Sequence, residues 1–308
     1  MTFETPVLFL VFNRPETTKQ VFAKIRAVKP RQLFIASDGP RSDRPKESEI
    51  VEQVRKIVLD GIDWDCEVKT LFREKNLGCG KAVSEAITWF FQHVEQGIIL
   101  EDDCLPDLSF FHFCDQLLNY HRDNHKVMHI GGTNFLYPNF KYTYDYYFSK
   151  YPHVWGWATW RRAWEKYDFH ISNITEPPIE RILNLYPCST DEAKYWLSIY
   201  RNLRDIDTWD YQWIFSIWVH GGYSIVPSIN LVSNIGFGID ATHTKSAEDK
   251  ASKRPTGCVK ESLKHPITIS LHAKSDQMVF KYFIAVKESL LNKLTNRAMQ
   301  KIQKLVRQ

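Results

Sequence analysis

The sequence predicts an α/β fold of the doubly wound kind, a Rossmann-like, mostly parallel sheet flanked by helices. Two observations carry that prediction. Between Val7 and Gly131, short continuous apolar runs alternate with longer segments of helical period, as expected for strands buried on both faces by crossover helices. Three of these runs also stop abruptly at polar or charged residues, and an open parallel sheet binds ligands beyond the carboxyl ends of its strands.

Val7–Phe12 is the first predicted strand. Pro15 suits the first turn of a helix reaching Val28, because its missing N–H would be unpaired there anyway. Gln32–Ser37 is the second strand and closes on the turn signature Asp38-Gly39-Pro40. A helix over Lys46–Val58 leads to a third strand, Glu67–Arg73. Asn76-Leu77-Gly78 opens a helix over Gly78–Val94. Gly97–Leu100 is a fourth strand, ending at Glu101-Asp102-Asp103. A helix over Phe110–Arg122 and a strand over Val127–Gly131 complete the series.

The alternation fails after Gly132. Tyr137–Tyr147 is aromatic and reads as strand or loop. Trp157, Trp160 and Trp164 fall at i, i+3 and i+7, the spacing of the buried stripe of a helix; most are expected in the core, with Trp155 or Trp157 facing a cleft. Glu180–Leu203 and Trp209–His220 read as helices and Tyr223–Val232 as a strand. Lys245–His265, poor in aromatics and rich in charge, reads as a mobile segment or lid. From Val279 onward, apolar residues recur at helical spacing among Lys and Arg.

Composition limits the function. The 308 residues are 44% hydrophobic and 25% charged, which excludes a disordered, collagenous or disulfide-miniprotein chain. A formal charge of +4 is too small to imply nucleic-acid binding. The unusual feature is the 14% aromatic content, with ten tryptophans; such rings fill cores but also make flat platforms for sugars. The six cysteines form no CxxC pair, and free thiols are expected. Met1–Thr5 lacks a basic leader region, and no apolar stretch approaches bilayer length. The expected location is cytoplasmic, with a basic C-terminal helix that either docks on the body or lies at the inner face of the membrane.

Several residues carry candidate chemistry. Glu101, Asp102 and Asp103 repel one another unless a cation is present. On a continuing strand Glu101 and Asp103 would share one side and Asp102 the other. Their oxygens suit a hard ion, Mg²⁺ or Mn²⁺, with positions left open for phosphate; the plainer alternative is a set of acids at a helix start. Asn76-Leu77-Gly78-Cys79-Gly80-Lys81 either brings Lys81 and a helix N-terminus to a phosphate or is turn chemistry alone. It is no Walker A loop. Asp210 is either a first-turn acid or a general base held by Trp209 and Trp213. His243 is either a metal or phosphate ligand or a packing residue.

In this order the pieces resemble a GT-A glycosyltransferase of the N-acetylglucosaminyltransferase I-like group. Pro6–Arg14 looks like that family's first strand, Ser37-Asp38-Gly39 like its second, Ile99–Asp103 like its Glu-Asp-Asp form of the Asp-x-Asp motif, and Gly156-Trp157 and Trp209-Asp210 like its Gly-Trp and Trp-Asp segments. The resemblance runs from Pro6 to His243. It implies that Arg14 and Asp38 contact the nucleotide base, Asp102 the ribose, Glu101 the donor sugar, Asp103 the metal, and Asp210 the acceptor proton, with Lys81 near the diphosphate. His243 would be a second metal ligand, and Trp157 and Trp209 would lie on the acceptor side.

The family has adjacent aspartates after the tryptophan, whereas Asp210 is followed by Tyr211. The Asn-Leu-Gly-x-Gly-Lys loop is similar to broader bacterial GT-A enzymes. The implied activity is inverting, metal-dependent transfer from a nucleotide diphosphate sugar, with a UDP-sugar expected, to a glycan or lipid-linked acceptor in surface-glycan synthesis. The rival readings are a sugar nucleotidyltransferase and a non-catalytic carbohydrate-binding protein. The expected layout is a catalytic domain over 1–244 (nucleotide-sugar half 1–132, acceptor half 133–244), a lid over 245–266 and a basic helical tail over 267–308.

Overall fold

The computed structural model describes residues 3–172, 185–236 and 254–285. Its centre is an eight-stranded mixed sheet flanked by helices, a Rossmann-like α/β arrangement. Strands β1 (Val7–Val11), β2 (Gln32–Ser37), β3 (Glu67–Phe72) and β4 (Gln96–Glu101) alternate with helices α1 (Pro15–Val28), α2 (Glu47–Asp60) and α3 (Cys79–His93). Then come the short β5 (Cys104–Pro106), α4 (Ser109–Tyr120), β6 (Val127–Gly131), β7 (Tyr146–Ser149), β8 (Trp157–Trp160) and the single turn α5 (Arg161–Trp164). The described chain continues through α6 (Thr190–Asn202), α7 (Asp210–Val219), β9 (Tyr223–Pro227), β10 (Val232–Asn234) and α8 (Ala273–Val279).

The sheet order is β3-β2-β1-β4-β8-β6-β9-β7. β1 pairs in parallel with β2 and β4, and β2 with β3, which sets the carboxyl ends of β1, β2 and β4 side by side. Their continuous apolar sequences have a simple cause. Leu8, Leu10, Phe34 and Ala36 face α3 and the tryptophans, while Val7, Phe9, Leu33 and Ile35 face α1, α2 and α4. Alternate residues of one strand thus enter two separate cores, and neither face meets water. α1 begins with Pro15 in its first turn and ends at Lys29, in the left-handed region at φ 52°, whose N–H bonds back to Ile25 O.

Beyond β4 the parallel pattern breaks. β8 inserts antiparallel between β4 and β6, with Ile99 opposite Trp157 and Ile130 opposite Ala158. The predicted helical stripe through Trp157 and Trp160 is therefore wrong for its first half. Trp157-Ala158-Thr159-Trp160 is a central strand with every residue buried, and a strand buried on both faces has no period to read. Helix begins only at Arg161, so Trp164 alone sits in one.

Two expectations for the C-terminal third divide at the limits of the described residues. Of the segment read as a lid, residues 245–253 lie outside them, but 254–265 is fastened to the body. Val259 and Leu263 are buried, Gly257 N–H bonds to Asn230 O at 2.9 Å, and Lys264 N–H bonds to Asp145 at 2.6 Å. Backbone hydrogen bonds of this kind need no apolar periodicity, so no sequence pattern announces them. Of the tail read over 267–308, residues 267–272 are not helical, α8 follows and buries Asp276 and Val279, and residues 286–308 lie outside the described set. No disulfide joins any of the six cysteines. No helix among the described residues is long and apolar enough to cross a membrane.

Candidate active site

The carboxyl ends of β1, β2 and β4 open into a cleft of about 340 Å³. Arg14 follows β1, Asp38 follows β2, and Glu101-Asp102-Asp103 closes β4, and all five line the same space. This convergence is a consequence of strand order: three segments far apart in sequence become neighbours because β2, β1 and β4 are adjacent and parallel.

The acidic triplet neither continues as a strand nor opens a helix. Asp102 and Asp103 form a turn between β4 and β5, so the alternation of faces ends at Glu101. Arg14 Nη1 consequently reaches both aspartates, 2.6 Å from Asp103 Oδ2 and 3.4 Å from Asp102 Oδ1. Asp102 Oδ2 also accepts the Phe12 N–H at 3.1 Å, fastening the ends of β1 and β4 together. Behind the turn, β10 pairs antiparallel with β5, and Ile235 N–H bonds to Asp103 O at 2.8 Å. Gly236 then passes so close that a Cβ there would overlap the Asp103 carboxylate.

Burial and mutual repulsion make the triplet reluctant to ionise fully. Desolvation at the cleft floor, then the charges of Asp103 and Asp102, push the Glu101 carboxyl up to about 8. Burial pushes Asp102 up to about 7 against the opposing pull of Arg14. Asp210 is not on the cleft wall, but its charge adds a small push to Glu101. Burial, followed by Glu101, Asp210 and Asp207, holds the Cys79 thiol well above its ordinary range, which removes it as a nucleophile.

Asp38 serves the scaffold as well as the cleft. Its carboxylate accepts Gly39 N–H at 3.0 Å and Leu77 N–H at 3.0 Å, and Asn76 Nδ2 donates to Gly39 O at 2.8 Å. A Cβ on Gly39 would collide with the Lys75 backbone. The 73–78 loop is thereby pinned to the end of β2, and Arg41, Arg73 and Asn76 join Asp38 on the cleft wall.

Other predicted site residues fall elsewhere. Lys81 is not on the cleft wall; its side chain is 59% exposed and reaches Glu85 at 3.7 Å. The glycines before it do allow close approach, but what approaches is the chain itself. Asp207 accepts Gly80 N–H at 2.8 Å and Cys79 N–H at 3.0 Å. Trp157 and Trp209 are buried and stack on one another, centroids 5.6 Å apart, so they are core rather than a wall for sugars. Trp155 does line the cleft. Asp210 occupies the first position of α7, accepting from the Thr208 hydroxyl and from Tyr211 N–H. His243 lies outside the described residues.

Asp207 is the site residue that sequence reasoning misses. A faint signal for it exists: a helix opening at Gly78 has no side chain of its own to cap it, which leaves its first N–H groups open to a partner from elsewhere.

Among the described residues no three His, Cys, Asp or Glu side chains are grouped to hold a metal ion. The chemistry of the triplet nonetheless fits a hard cation held by one carboxylate and completed by substrate oxygens. Asp103 presents oxygen ligands, and Glu101 and Asp102, beside it on the same cleft wall, are carboxyls that a cation would help to ionise.

No family model matches the chain, and no curated protein sequence matches it. Solved structures that it resembles include HddC from Yersinia pseudotuberculosis, at 11% identity over 53% of this chain and 80% of that one, TM-score 0.30. Mouse xyloside xylosyltransferase 1 in its apo form has 11% identity over 70% and 81%, TM-score 0.32. The 4-diphosphocytidyl-2C-methyl-D-erythritol synthase of Anaerococcus prevotii has 7% identity over 70% and 98%, TM-score 0.33.

Proposed function

We propose that this chain is an inverting, metal-dependent glycosyltransferase that moves a sugar from a nucleotide diphosphate donor, a UDP-sugar, to an acceptor hydroxyl in surface-glycan assembly. The observation that carries the reading is one cleft holding Arg14, Asp38 and the Glu101–Asp103 turn at adjacent strand ends, with Asp210 in electrostatic reach.

In this reading Asp38, Arg41 and Asn76 form the end of the cleft that receives the nucleoside. Asp38 keeps acceptor capacity beyond the backbone donors of Gly39, Leu77 and Gly78, since a carboxylate has about four lone-pair sites. Asp102 meets the ribose and Glu101 the donor sugar. Asp103 would hold Mn²⁺ or Mg²⁺, whose chemistry when bound is to neutralise charge on the departing diphosphate. Arg14, expected at the nucleotide base beside Asp38, lies instead against Asp102 and Asp103, and in this reading it adds positive charge near the diphosphate.

The Asp210 carboxylate takes the acceptor hydroxyl proton as the acceptor oxygen bonds to the anomeric carbon. The bond from that carbon to the diphosphate breaks, and its electron pair leaves with the nucleoside diphosphate. General-base catalysis of this kind is worth ~10²–10⁴-fold.

A thermal-shift series with UDP, UTP and free sugars, each with and without Mn²⁺, tests the reading. UDP should stabilise the protein only when Mn²⁺ is present, and Asp103→Ala should abolish that increment. Stabilisation by free sugars alone would sink the transferase in favour of a carbohydrate-binding protein. A response confined to UTP plus a sugar phosphate would favour a nucleotidyltransferase.

A further inference from the structure

We infer that Asp207 is a positioning residue for Asp210: it clamps the loop carrying the base onto the N-terminus of α3, at the edge of the nucleotide cleft. The inference rests on the proposed role of Asp210.

The N-terminus of α3 lacks a cap of its own. The helix begins after Gly78, which has φ +83° and no side chain to accept from its first turn. Two N–H groups of that turn, those of Cys79 and Gly80, are taken by Asp207 from 128 and 127 positions away. A serine or aspartate at position 78 would cap such a helix locally, so stability of α3 alone does not call for this long-range contact. The glycines are instead shaped to the loop. A Cβ at Gly78 would meet Asp207 Oδ2 at 2.7 Å, and one at Gly80 would meet Thr208 O at 2.7 Å.

From Asp207 the linkage runs directly to the base. Thr208 and Trp209 are buried, the Thr208 hydroxyl donates to Asp210 Oδ1, and Tyr211 N–H donates to the same oxygen at 2.9 Å. The side chain of Asp210 is therefore oriented by a residue whose own position is fixed by the clamp. Asp207 itself lines the cleft, where its charge opposes a diphosphate, so direct binding of donor is the wrong role for it. Its effect should reach the reaction through Asp210, where a displacement of about 1 Å can cost ~10²-fold in rate.

The test uses Asp207→Ala, Thr208→Val, Asp210→Asn and the double variant Asp207→Ala/Asp210→Asn. Hydrogen exchange is read at residues 206–212. Release of UDP is followed from UDP-glucose, UDP-galactose and UDP-N-acetylglucosamine with Mn²⁺. Asp207→Ala should speed exchange in that segment and lower kcat by about tenfold or more, without weakening UDP–Mn²⁺ binding by calorimetry. Thr208→Val, which leaves the clamp intact, should lower kcat with little change in exchange. The double variant should be no slower than Asp210→Asn alone, because residues acting as a unit are not additive.

Unchanged exchange over 206–212 in Asp207→Ala overturns the clamp whatever the substrate. Losses that multiply in the double variant overturn the link to Asp210 while leaving the base assignment standing. Near-normal turnover in Asp210→Asn instead removes the base assignment, and the inference with it.

Discussion

The Arg14 guanidinium lies 2.6 Å from Asp103, joining the end of the first strand to the acidic turn after the fourth. The pair is partly shielded, with side chains 21% and 13% exposed, and the same guanidinium reaches Asp102. Removing it strands negative charge where water is scarce, and leaving a buried charged group unpaired costs about 1–3 kcal/mol or more. Arg14→Met should lose stability in that range in metal-free denaturant unfolding and recover part of it in Mn²⁺. A loss untouched by Mn²⁺ would mean that the cation does not replace the guanidinium's charge.

Gly236 sets the back wall of the same turn. An added methyl would overlap Asp103 Oδ2 and fall 2.7 Å from Asp103 Cβ, closer than packed carbon atoms approach. Rotation of the Asp103 side chain frees its carboxylate but not its Cβ, so the backbone held by Ile235 N–H on Asp103 O must shift as well. Gly236→Ala should weaken Mn²⁺-dependent UDP binding by about 10–100-fold, the scale of lost support around a metal ligand. Calorimetry with and without EDTA reads it. Unaltered affinity would show that Asp103 is not the ligand or that the loop yields instead.

Much of this site is legible in the chain itself. The strands ending in Arg14, Asp38 and Glu101 are continuous apolar runs, and parallel pairing brings their ends together without further information. What escapes is local. The helical spacing of Trp157, Trp160 and Trp164 is a coincidence of a strand running into a helix. The apolar run predicts a strand that stops at the acidic triplet, but nothing local announces the turn at Asp102-Asp103 that β5 and β10 enforce. Asp207 leaves only the uncapped start at Gly78 as a trace, because its partners, Cys79 and Gly80, lie on another element, and such contacts have no period.

The tryptophans supply a contrast between core and cleft. Trp157 is fully buried, stacked on His129 at 5.0 Å and on Trp209 at 5.6 Å. Trp157→Ala should therefore cost ~3–5 kcal/mol of stability, and Trp157→Phe should leave the acceptor KM unchanged. Trp155, on the cleft wall, should behave in the opposite way: Trp155→Ala should alter UDP affinity with a smaller change in unfolding. Acceptor KM shifting in Trp157→Phe would restore it to the sugar-facing wall.

The same core predicts acid sensitivity. His129 is fully buried; its Nε2 lies 3.1 Å from His153 O, and its Nδ1 accepts from Trp213 Nε1 at 3.2 Å. That pairing assigns the proton to Nε2, so a second proton would have to displace the Trp213 bond. Burial lowers the His129 pKa from 6.5 to about 3. Between those values the unfolded chain binds a proton that the folded chain refuses. The stabilising contribution is thus complete above pH 6.5 and declines as pH falls toward 3, by up to ~1.4 kcal/mol per pH unit. Asp276 works against this trend, since burial raises it from 3.8 to about 7 and its contribution falls as pH rises across that window. Replacing His129 isolates its share: urea unfolding of His129→Gln at about pH 7 and about pH 5, either side of the ordinary histidine value, should show a smaller acid loss than the parent, even where the variant is less stable throughout. Equal acid losses in the two proteins would show that His129 is not held neutral by the fold.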